Sequence, residues 1–195
     1  MIRRKTLAKS NKTIAVVGAH GVGKNTICIK LLEREKFKER GVNVTYMPET
    51  VRSTMFMTGE ILEKEIGGNY YSCSWLYHRH WSQMLEHQYS CDVFITKRLP
   101  LDYVVFNECA FKLGLIDRML DPQYKELAVM QAADFDEVYF VRHNPEYELV
   151  EDSVRKGAAA SSELQPLWDK RYKEIIDHWN IPVIEGTCGE LLELF

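Results

Sequence analysis

An apolar run, a glycine-rich segment and an amphipathic stretch follow one another directly near the start of the chain, and this succession constrains the fold more than any other feature. Residues 13–18 read TIAVVG, residues 18–26 read GAHGVGKNT, and residues 23–39 repeat apolar side chains at helical spacing. A short β-branched run predicts a strand, and a period of 3.6 residues predicts a helix. The glycine-rich segment is therefore predicted to be a strand-to-helix turn.

Short apolar runs recur along the rest of the chain. Four further strands are predicted at residues 43–47, 93–96, 137–142 and 183–186. These runs are β-branched and often apolar at consecutive positions, as is typical of parallel strands that are covered on both faces.

Amphipathic segments separate the predicted strands. Helices are predicted at residues 74–89 and at residues 121–132, where Asp121 and Pro122 are typical N-cap and N1 residues. A last helix is predicted where apolar and aromatic residues recur at helical spacing, at Trp168, Tyr172, Ile175 and Trp179. Alternating strands and helices predict an α/β fold with a five-stranded parallel sheet and helices on both faces. Ligands of such sheets bind beyond the C-terminal ends of the strands.

Length and composition indicate one globular domain in a reducing compartment. The 195 residues are 46% hydrophobic and 27% charged, so we expect a basic tail at residues 1–12 and a single domain at residues 13–195. The apolar run after the basic tail is too short for a signal sequence or a membrane span, and we expect a cytoplasmic protein without a membrane partner. Five scattered cysteines form no CxxC pair and are predicted to be reduced, namely Cys28, Cys73, Cys91, Cys109 and Cys188.

The net charge of −3 does not indicate a nucleic-acid partner, although 25 Lys and Arg residues would permit a local basic groove. The sequence does not decide the oligomeric state, and a homodimer stays open.

The glycine-rich segment is predicted to bind nucleotide phosphates. Gly18, Gly21 and Gly23 allow successive backbone N–H groups to point inward, and the following helix directs its positive dipole end at the same place. Lys24 supplies a charge for the β- and γ-phosphates. The predicted nucleotide-binding residues of the segment are Gly18, His20, Gly21, Val22, Gly23, Lys24, Asn25 and Thr26. A glycine-containing turn that binds nothing is the alternative.

Asn25 stands where a Ser or Thr hydroxyl normally ligates Mg²⁺. An amide oxygen can also bind a cation, but the amide group is larger and carries an NH₂ group. Thr26 follows directly. We expect ATP and Mg²⁺ as cofactors, with Asn25 and Thr26 as the candidate metal ligands.

Charged residues follow the second and third predicted strands. Glu49 and Arg52 lie three residues apart after residues 43–47, and Arg98 and Asp102 follow residues 93–96. A carboxylate there can orient or deprotonate an acceptor hydroxyl, and a guanidinium can hold a phosphate. A surface ion pair of little energetic value is the alternative for Glu49 and Arg52.

In this order of motifs the chain resembles the thymidylate kinase-like and deoxynucleoside kinase-like branch of P-loop kinases, and most closely the phage and bacterial set that includes the ribosylnicotinamide kinase domain. The resemblance rests on residues 18–26, on Glu49 with Arg52, and on Arg98 with Asp102. It implies a three-layer P-loop kinase fold, an acceptor-side segment at about residues 50–90 and a lid at about residues 143–160.

The resemblance also implies catalytic roles for Lys24, Glu49, Arg98 and a lid arginine, Arg155. Arg142 is a further candidate for contact with the nucleotide. A solvated helix face is the alternative for the charged segment that contains Arg155.

Lys97 departs from the pattern of the resembled kinases, which carry an acid at this position. An ammonium has donors only and cannot ligate a cation. The alternatives are that the changes at Asn25 and Lys97 weaken the activity, or that Lys97 neutralises phosphate charge directly.

The segment at residues 73–89 concentrates aromatic and histidine side chains. Trp75 and Arg79 are candidate acceptor contacts, together with the substrate-binding candidates Glu49, Arg52, Arg98 and Asp102. The alternative is that Trp75 and its aromatic neighbours pack against the sheet. His80 and His87 share a helix face, but no third ligand supports a metal site.

The sequence thus favours ATP-dependent transfer of a γ-phosphoryl group to a nucleoside, nucleoside monophosphate or related nucleotide, in DNA-precursor metabolism. Two other hypotheses stay open: a catalytically impaired nucleotide-binding regulator, and a phage-type kinase that acts on a modified base in DNA.

Overall fold

The computed structural model describes residues 11–38, 41–47, 70–146 and 163–195. In this part of the chain five parallel strands form one sheet, in the order β2-β3-β1-β4-β5. The strands are β1 (Lys12–Val17), β2 (Val44–Met47), β3 (Val93–Lys97), β4 (Glu137–Arg142) and β5 (Ile184–Thr187). The predicted parallel α/β sheet is confirmed, and each strand lies within one residue of its predicted bounds.

Helices cover both faces of the sheet. They are α1 (Lys24–Lys38), α2 (Tyr70–Gln88), α3 (Pro100–Lys112), α4 (Pro122–Ala133), α5 (Leu164–Trp179) and α6 (Cys188–Leu192). Helix α1 follows β1 after only six residues, so the glycine-rich segment is the strand-to-helix turn that the sequence predicts.

Strand β1 lies in the centre of the sheet, between β3 and β4. Its residues Ile14 and Val17 have no exposed surface, and all five residues of β3 are buried. Burial on both faces explains why these strands read as continuous apolar runs rather than as an alternating pattern. Because β1 is central, the segment that follows it emerges in the middle of the carboxyl edge of the sheet.

Helix α3 has no counterpart among the predicted helices. Ten of its thirteen residues are buried, so it shows no polar face and therefore no amphipathic period. The sequence signals that do mark its start are Pro100 at the first helical position and Asp102 in the first turn, whose carboxylate accepts a hydrogen bond from the Leu99 N–H.

Two details of the other helices differ from expectation. Asp121 precedes α4 as predicted, but its side chain makes no capping hydrogen bond and contacts the Arg118 guanidinium instead. Trp168, Tyr172 and Ile175 of α5 are buried, whereas Trp179 at its end is 44% exposed. The predicted apolar face thus ends one turn early.

None of the described helices is long and apolar enough to cross a membrane. About half of the predicted acceptor-side segment, at residues 50–69, and most of the predicted lid, at residues 147–160, lie outside the described residues.

Candidate active site

The glycine-rich segment between β1 and α1 has a backbone that only glycine adopts readily. Gly18, Gly21 and Gly23 have φ angles of 132°, 77° and 96°. A Cβ atom on Gly18 would also lie less than 3.0 Å from the carbonyl oxygen of Val141 in β4. The turn therefore packs directly against the neighbouring strand and has a fixed shape.

The side chain of Lys24 lies inside this turn. It is 6% exposed, and its Nζ donates hydrogen bonds to the carbonyl oxygens of Gly18, at 2.8 Å, and of Ala19. Lys24 is also the first residue of α1, so the ammonium and the N-terminus of a 15-residue helix meet at one point. This arrangement concentrates positive potential and suits a phosphate group.

Asp102 holds the first residue of the turn by a hydrogen bond. Its carboxylate is fully buried and accepts hydrogen bonds from the Gly18 N–H at 3.2 Å, the Leu99 N–H at 2.8 Å and the Tyr172 hydroxyl at 3.4 Å. Burial raises the pKa of Asp102, and the nearby Arg98 and Lys24 charges oppose this shift. Asp102 is fully buried and contacts the backbone of the turn. Its predicted role in substrate binding stays a prediction.

Arg98 follows β3 in a strained conformation, with a φ angle of 90° that non-glycine residues rarely adopt. Its guanidinium lies 3.4 Å from the Asp102 carboxylate and 2.9 Å from Nδ1 of His20, and it lies 5.6 Å from the centre of the Trp168 ring. The side chain is 3% exposed. The structure thus brings Arg98 into contact with the glycine-rich turn through His20.

The backbone of Arg98 is fixed by His80 of α2. The Nε2 atom of His80 donates to the Arg98 carbonyl at 2.9 Å, and the Thr96 hydroxyl donates to the same oxygen at 3.1 Å. His80 has no exposed surface. From the sequence, His80 was considered only for a metal site that no third ligand supports, and its contact with the strained Arg98 backbone was missed.

Asn25 and Lys97 contact each other. The Lys97 ammonium donates to the Asn25 amide oxygen at 2.9 Å. These are the two residues that depart from the pattern of the resembled kinases, and the structure joins them at the entrance to α1.

The other predicted site residues are less closely connected with the turn. Trp75 and Arg79 lie one turn apart on the exposed side of α2, and no contact described for either joins it to the turn. Arg142, at the end of β4, is exposed and donates to Glu190 at 3.0 Å. Glu49, Arg52 and Arg155 lie outside the described residues, so their roles stay predictions.

Residues from the C-terminal half complete the walls of the turn. Gln165 of α5 donates to the His20 carbonyl, and Sγ of Cys188 lies 3.7 Å from the Gly23 carbonyl. A Cβ atom on Gly23 would meet Sγ of Cys188 at 2.6 Å. Burial raises the pKa of the Cys188 thiol, and the Thr26 side chain partly offsets this shift. No local sequence signal marks Gln165 or Cys188, because both contacts are long-range.

The described residues contain no group of three or more His, Cys, Asp or Glu side chains that could hold a metal ion. Asn25 and Thr26, the predicted metal ligands, contact Lys97 and Cys188 respectively, and their role as ligands stays a prediction.

Among the solved structures of similar fold are a nucleoside kinase and a nucleotide kinase. A deoxyadenosine kinase from M. mycoides with bound dATP has a TM-score of 0.59 and 16% identity, over 93% of this chain and 95% of that one. The same enzyme with dCMP and a flexible dCDP has a TM-score of 0.56 at the same identity and coverage. Thymidylate kinase from Ehrlichia chaffeensis has a TM-score of 0.57 and 12% identity, over 95% and 98% of the two chains.

No family model matches the chain, and no curated protein matches it by sequence. At 12–16% identity the structural likeness shows the fold alone. The chain therefore has the fold of P-loop nucleoside and nucleotide kinases, as the sequence predicts.

Proposed function

We propose that this protein is a P-loop phosphotransferase that moves the γ-phosphoryl group of ATP to a nucleoside, a nucleoside monophosphate or a related nucleotide. One observation carries the proposal: the Lys24 ammonium lies inside a rigid glycine turn at the N-terminus of α1. The kinases of similar fold, one of which holds dATP, support the choice of a nucleotide.

In the proposed reaction the backbone N–H groups of the turn and Lys24 hold the β- and γ-phosphates of ATP. The acceptor hydroxyl oxygen forms a bond to the γ-phosphorus, while the bond from that phosphorus to the β–γ bridging oxygen breaks and ADP leaves. Glu49 is the proposed group that takes the hydroxyl proton. Positive charge near the transferring group lowers the barrier, and Lys24, Arg98 and Arg155 are the proposed sources.

The proposed acceptor is small. The net charge of −3 gives no general attraction for DNA. The exposed side of α2, with Trp75 and Arg79, offers an aromatic ring and a guanidinium that suit a base and a phosphate. We propose DNA-precursor metabolism as the setting, in the reducing interior of a cell.

The test is transfer of labelled γ-phosphate from ATP to a panel of nucleosides, nucleoside monophosphates and modified single- and double-stranded DNA. We expect label on one class of small acceptor, and loss of at least 100-fold in rate for Lys24→Ala. Lys30→Ala is the matched control, because Lys30 lies exposed on the same helix and pairs with Glu33. Label on DNA alone would replace the small acceptor by a modified base.

A nucleotide-binding regulator is the second candidate. The Asn25–Lys97 contact favours the regulator, because these two residues replace the hydroxyl and the acid that the resembled kinases use around the metal. ATP binding without transfer to any acceptor would support the regulator. Transfer that is lost in Lys24→Ala would contradict it.

A further inference from the structure

Lys97 lies directly beside the strand that carries the glycine turn. In the sheet it is paired with Val16 of β1, two residues before Gly18. Its side chain is almost buried, at 7% exposure, and its ammonium reaches across to the Asn25 amide oxygen at 2.9 Å. A buried positive charge therefore lies at the first turn of α1.

The same geometry opposes a magnesium ion at Asn25. Mg²⁺ bound to the amide oxygen at about 2.1 Å would lie within about 5 Å of the Lys97 ammonium, given the 2.9 Å hydrogen bond. Two like charges at this distance repel each other, and Lys97 has no lone pair with which to join the ligand set. The residues at this position do not fit a protein-bound Mg²⁺.

An ammonium can nevertheless do part of what a metal does for a nucleotide. It neutralises phosphate charge and donates up to three hydrogen bonds to phosphate oxygens. Lys24 already supplies one ammonium from within the turn. Lys97 adds a second one from β3, at the residue that would otherwise hold the metal.

We infer that the Lys97 ammonium takes the place of the protein-bound magnesium ion, so that this turn binds a nucleoside triphosphate without a divalent cation. The inference rests on the nucleotide-binding part of the proposed function. It does not depend on which acceptor is phosphorylated, or on whether transfer occurs.

The first experiment is calorimetric titration of the full chain with ATP, once in Mg²⁺ and once in EDTA. We expect dissociation constants that agree within about threefold. Binding that is at least tenfold weaker in EDTA would overturn the inference and leave the proposed function standing. No binding under either condition would overturn both, whereas tight binding in EDTA without any phosphoryl transfer would support the inference and contradict only the kinase.

The second experiment uses variants of Lys97. Lys97→Met keeps most of the side-chain length and removes the charge, and we expect ATP binding in EDTA to weaken at least tenfold. Lys30→Met is the matched control and should change binding less than twofold, because that lysine is exposed in the middle of α1 and pairs with Glu33. Equal affinity of Lys97→Met and wild type in EDTA would overturn the inference.

A double variant tests the exchange directly. Asn25→Ser with Lys97→Asp supplies a hydroxyl and a carboxylate, which are magnesium ligands, in place of the amide and the ammonium. We expect this variant to bind ATP at least tenfold more tightly in Mg²⁺ than in EDTA. A double variant that is as indifferent to Mg²⁺ as the wild type would contradict the exchange of roles. Circular dichroism confirms folding, and the wild-type titrations decide the question if a variant fails to fold.

Discussion

Gly18 combines two constraints at one residue. Its φ angle of 132° is unfavourable for any residue with a side chain, and the space where a Cβ atom would lie is taken by the Val141 carbonyl. A substituted residue must therefore shift both the turn and β4. The shape of the site thus depends on the absence of one methyl group.

Gly18→Ala tests this dependence. We expect the free energy of unfolding to fall by about 2–4 kcal/mol, since backbone strain adds to a clash with backbone atoms. Chemical denaturation measures the loss. Gly189→Ala is the control: a Cβ atom there meets nothing within 4 Å, and alanine favours the helix α6. Equal stability of the two variants would contradict the steric argument.

Asp102 acts at the same scale through hydrogen bonds. Its two oxygens serve the N–H groups of Gly18 and Leu99 as well as the Tyr172 hydroxyl. Asp102→Asn replaces one acceptor oxygen by a donor, so at least one of these buried donors loses its partner. We expect a loss of about 1–3 kcal/mol in unfolding free energy, and ATP binding that is weakened severalfold because the turn is no longer fixed.

The control for this prediction is Asp121→Asn, which changes an exposed carboxylate that pairs with the exposed Arg118 guanidinium at 3.5 Å. It should leave both quantities within experimental error. Normal ATP affinity in Asp102→Asn, with stability reduced, would show that Asp102 supports the core and does not position the turn.

At the scale of elements, a network of ion pairs connects β1, α1 and β4. The Glu137 carboxylate of β4 forms ion pairs with Lys12 at 2.6 Å and with Arg34 at 2.7 Å. It also accepts a hydrogen bond from the Tyr139 hydroxyl at 2.8 Å. Burial alone would raise the pKa of Glu137, but these hydrogen bonds outweigh it and lower the pKa from 4.5 to about 2. The network therefore ties the strand before the glycine turn to the helix after it.

This lowered pKa predicts how stability depends on pH. The carboxylate stabilises the fold fully above its unfolded-state pKa of 4.5, and its contribution is lost as the pH falls from there towards 2. We expect Glu137→Gln to cost about 1–3 kcal/mol at pH 7 and to flatten the acid limb of the stability curve.

Denaturation at a series of pH values checks this expectation against Glu33→Gln. Glu33 pairs with Lys30 three residues away on α1, and both side chains are about half exposed. Exposed pairs of this kind contribute little. An acid limb that is identical in wild type and Glu137→Gln would refute the assigned pKa.

The strands and helices also differ in how far the local sequence alone predicts them. Strand β1 and helix α1 could be predicted from sequence, because a continuous apolar run, a glycine-rich segment and a 3.6-residue apolar period follow one another within a few residues. Helix α3 could not be predicted in this way. A helix that is buried on nearly every side has a continuous apolar sequence, and a buried strand or core loop has the same pattern. Only its neighbours, which are far away in sequence, decide between those alternatives.

At the scale of the whole molecule, the described part of the chain has one hydrophobic core, and Ala19 and Val22 of the glycine turn belong to it. Residues of β1, β3, α3 and α5 all belong to one buried cluster, among them Ile14, Phe94, Val105 and Trp168. We predicted one domain from length and composition, and a single core is the physical reason to expect cooperative unfolding.

ATP binding should therefore stabilise the entire fold. At an ATP concentration 100 times the dissociation constant we expect about 2.7 kcal/mol of added stability, seen as one shifted transition by both tryptophan fluorescence and circular dichroism. Lys24→Ala should melt as a single transition that ATP no longer shifts. Two separate transitions, of which ATP moves only one, would show that the chain has more than one folding unit.

The candidate site was predictable in part for the same reason. Residues 18–26 lie together in sequence and could be read directly. The contacts of Arg98 with His20, of His80 with the Arg98 backbone and of Lys97 with Asn25 join residues that are between 18 and 78 positions apart. Sequence could nominate Arg98 and Lys97, but only the sheet order brings them to the turn.

The residues that pack against the glycine turn are synthesised long after the turn itself. Residues 18–24 form the turn, and Val141, Gln165 and Cys188, which pack against it, are translated more than a hundred residues later. The apolar strand β1 is thus made well before β4, its neighbour in the sheet. The turn therefore reaches the shape that suits a nucleotide only after β4, α5 and α6 have packed against it, so nucleotide binding can stabilise the folded chain but cannot guide the first steps of folding.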